Sequence, residues 1–122
     1  LDAMQNFQDL AVWRKAHALV LRVYGLSSRL PASENFGLIL NLRRSAAFTA
    51  TRIAEGAGRP SDLEFAGELK RALASSYELE YALLLAKDLG FVEVNLHDEA
   101  RDEIVEVRKM ISGLLKRLKA GP

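Results

Sequence analysis

A chain of 122 residues is long enough for one hydrophobic core and too short for two. Apolar residues make up 49% and charged residues 27%, a balance that argues against disorder, and the absence of cysteine excludes a disulfide framework and a thiolate metal site. The net charge of +1 names no polyanion partner, yet residues 1–60 carry eight Lys/Arg against four Asp/Glu, a local +4, while residues 61–122 carry nine against twelve, a local −3.

No apolar run reaches the roughly 18 residues of a membrane span, and the N-terminal stretch has no apolar secretory core. The expectation is a cytoplasmic protein without a membrane partner. Leu1–Ala3 precede Met4 and read as an appended remnant, with Met4 the native start. Residues 1–122 read as a single domain.

The first helix is predicted over about Leu10 to Arg29, where Val12, Trp13, Ala16, Leu19, Val20, Val23, Leu26 and Leu30 recur at helical steps. Asp9 is its candidate cap and Pro31 its stop. The second is predicted to begin at Ser33 or Glu34, with Ile39, Leu42, Ala46, Ala50, Ile53 and Ala57 as its stripe and Gly56, Gly58 and Pro60 at its end.

Ser61-Asp62-Leu63-Glu64 has the form of a capping box opening the third helix, in which the Ser61 hydroxyl bonds the Glu64 amide while that carboxylate reaches back. Its stripe is Leu63, Ala66, Leu69, Leu73, Ser76, Leu79, Leu83 and Ala86, and Gly90 is its natural stop. The fourth helix is predicted from Leu96 to Lys119 behind an Asn95 cap, with Ala100, Ile104, Val107, Ile111, Leu114, Leu115 and Leu118 inward. Its acidic start and its basic end at Lys116, Arg117 and Lys119 complement the helix dipole. Short connections make successive helices antiparallel, so the fold class is all-α: an up-down-up-down four-helix bundle.

Phe36, Phe48, Phe65, Tyr77 and Tyr81 lie partly off these stripes and are the candidate oligomer interface. A di-iron centre needs Glu-x-x-His pairs, but Arg14 precedes His17 by three residues and Val94 precedes His97, so no metal or other cofactor is expected. Ser75-Ser76 read as packing residues and Glu78/Glu80 point to different faces, which leaves no catalytic constellation. The expectation is a protein that is not an enzyme. The remaining polar feature is Arg43, Arg44, Arg52, Glu55 and Arg59 on helix two, either a surface for phosphates or else a solvated face or an ion network between subunits. Arg52–Glu55 and Glu55–Arg59 have the spacing for ion pairs.

The opening Phe7-Gln8-Asp9-Leu10-Ala11-Val12-Trp13-Arg14-Lys15-Ala16, the run from Glu34 to Ala46, Ile53-Ala54-Glu55-Gly56 followed by Arg59, and Leu73-Ala74-Ser75-Ser76-Tyr77-Glu78-Leu79-Glu80 together resemble the four-helix bundle proteins encoded by intervening sequences of bacterial 23S rRNA genes. The resemblance covers nearly the whole chain, and the Ile-Ala-Glu-Gly segment is its most specific part. It implies a cytosolic bundle that assembles as a ring of five. A related group, the accessory proteins of diversity-generating retroelements, forms similar pentamers that bind nucleic acid, which makes Arg43, Arg44 and Arg59 candidate contacts by analogy. Two positions depart from the family pattern: Arg52 stands where Asn is usual, and Ser75-Ser76 where Gly-Ser is usual. The combined expectation is a homopentameric scaffold with RNA or DNA contact, the alternative being a small-ligand binder or enzyme using a polar cluster at a subunit interface.

Overall fold

The computed structural model describes residues 6–120. The reading of Leu1–Ala3 as a remnant and the side chain of Lys119 lie outside the described residues. Four helices carry the fold: α1 (Ala11–Ser27), α2 (Leu38–Ala57), α3 (Asp62–Asp88) and α4 (Val94–Ala120), with short 3-10 turns at Phe7–Asp9 and Ala32–Glu34. Among the described residues there is no strand.

The helix starts differ from expectation in instructive ways. Asp9 does not cap α1; it closes the 3-10 turn that Asn6 caps, the Asn6 side chain accepting from the Gln8 N–H at 3.0 Å. The entry to α1 rests instead on the Phe7 ring packed edge-on against Trp13, centroids 4.7 Å apart. Helix α2 starts at Leu38, not at Ser33, because Ala32–Glu34 winds into a separate 3-10 turn and Gly37 takes the cap position. Glu34 still serves the helix end, its Oε1 accepting from the Leu38 N–H at 3.3 Å. Helix α4 begins at Val94, so Asn95 lies inside its first turn, and the Glu93 carbonyl accepts the first bond, from the His97 N–H at 2.9 Å.

Two ends follow the sequence closely. The Ser61 Oγ accepts from the Glu64 N–H at 3.2 Å and donates to the Glu64 carboxylate at 3.0 Å, so that carboxylate returns to the hydroxyl and not to the amide. At the far end of α3, Gly90 adopts φ 81° and the Phe91 N–H reaches the Ala86 carbonyl while the Gly90 N–H reaches that of Lys87, both at 2.9 Å. This is the Schellman arrangement that only a left-handed residue closes without strain.

Each helix packs on its sequence neighbours, α1 closes against α4, and no Cα atoms of the diagonal pairs come within 8 Å of each other. That is a closed up-down-up-down square. Leu19, Leu42, Ile53, Leu69, Leu79, Leu83, Ile104 and Ile111 fill its centre, all essentially inaccessible. Leu63 is the exception among the predicted core residues: it is 84% exposed. Phe65, two positions on and nearly opposite on the helix, turns inward against Gly56, which directs Leu63 to solvent. The expectation that Phe65 lies at an oligomer interface is corrected by the same packing, since its side chain is fully buried within the subunit. No described helix is long and apolar enough to cross a membrane.

Candidate functional site

Arg43, Arg44, Arg52 and Glu55 of α2 do not converge, and Arg59, expected on the same helix, lies beyond its end at Ala57 in the turn to α3. Arg43 is drawn into the α1–α2 seam: its guanidinium lies 4.7 Å over the Tyr24 ring, its Nε donates to the buried Ser27 hydroxyl at 2.9 Å, and its Nη2 donates to the Tyr24 carbonyl at 3.4 Å. Arg44 turns the other way, into a groove between α2 and α3 lined by Leu38, Asn41, Glu78, Tyr81 and Leu85. About two turns further on, Arg52 pairs with Glu55 at 3.5 Å and covers the Phe48 ring. Glu55 borders a second groove, against Phe7, Trp13 and His17, where the Trp13 and His17 rings stack at 4.9 Å.

Arg59 does not pair with Glu55. It crosses the turn to Glu68, a residue that sequence reasoning passed over, at 2.8 Å, and Arg71 holds the other oxygen of the same carboxylate at 3.0 Å. The Glu68 side chain is only 3% exposed, so this carboxylate is a buried anion held by two arginines. The Arg59 hydrogen bond, aided by that of Arg71, keeps its carboxyl below the usual carboxylate range in spite of burial, and Glu68 in turn raises the Arg59 guanidinium. The geometry depends on Gly56, where a Cβ would lie 3.1 Å from the Cβ of Glu68. The signal was present in the sequence: Glu68 is three residues after Phe65 and four before Ala72, the spacing of an inward face.

A second arginine sits between α3 and α4. Arg108 pairs with Glu80, lies 4.1 Å under the Tyr77 ring, and leaves its Nη1 buried without an acceptor. Arg22 ties α1 to α4 through Glu99 and Glu103. At the other histidine, His97 is buried and its Nδ1 lies 2.9 Å from Asp98, whose carboxyl that bond and Arg101 keep below its ordinary range. Ser76 spends its hydroxyl on the Leu73 carbonyl at 2.7 Å. Among the described residues no group of three or more His, Cys, Asp or Glu is arranged to hold a metal ion.

The antiparallel fold re-sorts the charges. Counted over the described side chains and divided at the helix midpoints, the end that holds the starts of α1 and α3 and the finishes of α2 and α4 carries ten Lys/Arg and five Asp/Glu, a net +5. The opposite end carries six and ten, a net −4. The sequence halves suggested a different division. Of the interface candidates, Phe36 is 93% exposed, Tyr77 and Tyr81 are exposed, and Phe48 is partly covered by Arg52.

A family model described as the 23S rRNA-intervening sequence protein matches residues 8–113. The search of solved structures finds a protein of unknown function from the S23 ribosomal protein family of Bacteroides thetaiotaomicron, with a TM-score of 0.81 and 21% identity over 87% of this chain and 99% of that one. At that identity the likeness speaks for the shared bundle. No curated protein matches the chain.

Proposed function

The chain belongs to the 23S rRNA-intervening sequence protein family, and from that premise we propose that it acts without catalysing a reaction, as a cytoplasmic homo-oligomeric scaffold, a ring of five, that holds nucleic acid through phosphate contacts. The observation that carries the scaffold reading is a set of exposed apolar side chains: Tyr81 lines the Arg44 groove, Leu84 follows it by one turn of α3, and Phe36 stands just ahead of α2, in a subunit whose core is complete without them. A ring of five joins one surface to a different surface on the next copy. The positive end supplies phosphate contacts, multiplied fivefold by assembly.

The rival reading, a ligand or reaction at the α2 polar cluster, has little to draw on. Arg43, Arg52, Glu55 and Arg59 each have a partner inside the subunit. The test is one light-scattering measurement with the ultraviolet absorbance ratio of the purified particle. The ring predicts about 68 kDa, five times the 13.5 kDa subunit. A stable 13.5 kDa species at micromolar concentration would refute the scaffold.

A further inference from the structure

From the middle of the bundle toward its positive end, a groove of about 450 Å³ lies between α3 and α4, and its lining includes Leu73, Tyr77, Arg108, Lys109, Ser112 and Lys116. No carboxylate lines it. Lys109, Ser112 and Lys116 recur at helical steps on one face of α4, with the lysines ~10.5 Å apart along the axis. Neither lysine has an ion-pair partner among the described residues. Between them, a Cβ on Gly113 would meet nothing within 4 Å. Beneath them lies the Arg108 guanidinium, its Nη2 bonded to Glu80 and its Nη1 buried without an acceptor.

The helix dipole explains a cation in the last turn of α4, such as Arg117. It does not explain Lys109, which lies about three turns upstream, beyond the range of the effect. The dipole therefore accounts for only part of this grouping. The cleft also offers a π face, since the Tyr77 ring at its rim is 61% exposed although one side lies over Arg108.

We infer that the α3–α4 cleft binds a phosphate-bearing unit of a single-stranded nucleic acid, with Lys109, Lys116 and Ser112 on the phosphate and Tyr77 against the base. Cations that track a backbone beside an aromatic that stacks a base are the parts from which single-strand binding is built. A volume of this size takes a nucleotide-sized group and not a duplex. The inference rests on the nucleic-acid part of the proposed function, and it moves the contact from the α2 arginines, mostly engaged within the subunit, to α4.

The test is fluorescence anisotropy of a short labelled oligouridylate with the full chain at about 50 mM salt, repeated up to about 200 mM. The variants are Lys109→Ala/Lys116→Ala, Tyr77→Leu and Arg44→Ala, each checked for helicity and particle mass. The expected result is a loss of about tenfold or more for the double lysine variant, with the slope of log affinity against log salt reduced by one to two. Tyr77→Leu weakens binding with the slope unchanged, and Arg44→Ala binds as the parent does. A parent that binds and a double variant that binds equally well would overturn the cleft and leave the nucleic-acid reading standing. A parent that does not bind at low salt would overturn both. Should the double variant lose helicity, Lys109→Glu alone decides the matter on the same criteria.

Discussion

Gly56 and Phe65 approach so closely that a Cβ on Gly56 would stand 2.7 Å from Cδ1 of Phe65. The Ile-Ala-Glu-Gly segment is therefore a packing device: its glycine lets α3 lie against α2, and that contact delivers Glu68 to Arg59. Helix propensity alone favours alanine over glycine by about 1 kcal/mol. The clash with a fully buried ring reverses the sign, and Gly56→Ala is expected to destabilise the bundle by about 1–3 kcal/mol. Thermal unfolding followed by circular dichroism reads this directly, and an unchanged or raised melting temperature would contradict the close approach.

The buried carboxylate gives a pH dependence of known sign. The folded-state pKa of Glu68 lies below its unfolded value, so its contribution is complete above the unfolded carboxylate pKa and is lost as pH falls through the folded one. Urea unfolding should show stability falling between about pH 5 and pH 2, and Glu68→Gln should flatten part of that fall. Glu68→Ala is expected to cost about 2 kcal/mol at neutral pH, because both arginines are partly exposed and can return to water. Identical pH profiles for the parent and the Gln variant would show that the carboxylate is not ionised in this way.

Arg43 and Arg44 are neighbours with different expected effects. Arg43→Ala removes the cover from Tyr24 and leaves the buried Ser27 hydroxyl without its donor, at a cost of about 1 kcal/mol. Arg44→Ala, at the exposed edge of a groove, should leave denaturant midpoints where they are. Equal shifts for the two variants would argue against the placement of Arg43 in the α1–α2 seam.

The aromatic residues divide in the same way. Phe36→Ser and Tyr81→Arg are expected to lower particle mass while helicity is kept. Phe65→Ala, which empties a core position, should lower the stability of the subunit itself by about 3–5 kcal/mol. Light scattering beside circular dichroism separates the two outcomes. Intact particle mass in both surface variants would place any subunit contact elsewhere.

Periodicity located helix interiors better than helix ends. Ala100, Ile104, Val107 and Ile111 repeat their inward spacing without interruption, and all four are buried. Leu63 fits the same spacing and is exposed, because a stripe read from one helix does not show which side of its first turn the neighbour covers, and here α2 covers Phe65. The α2 start was misplaced for a related reason: Ser33 and Glu34 are good cap residues, but the chain first spends them on a 3-10 turn. Local chemistry fixes which residues can end a helix, and the length of the connection fixes which of them does.

The arginine surface shows where the sequence stops speaking. Arg52–Glu55 is a contact within one helix, and its spacing alone identifies it. Arg43–Tyr24, Arg59–Glu68 and Arg108–Glu80 are contacts between helices, and nothing local to either partner selects the other. By itself the sequence determined an all-helical bundle, its core faces and its caps at Ser61 and Gly90, because backbone hydrogen bonding and burial periodicity act over a few residues. Only the tertiary structure decided which cations are engaged, which aromatics remain exposed, and that the charges gather at opposite ends of the bundle. Antiparallel packing brings together residues tens of positions apart, and Coulombic pairing depends on that proximity in space.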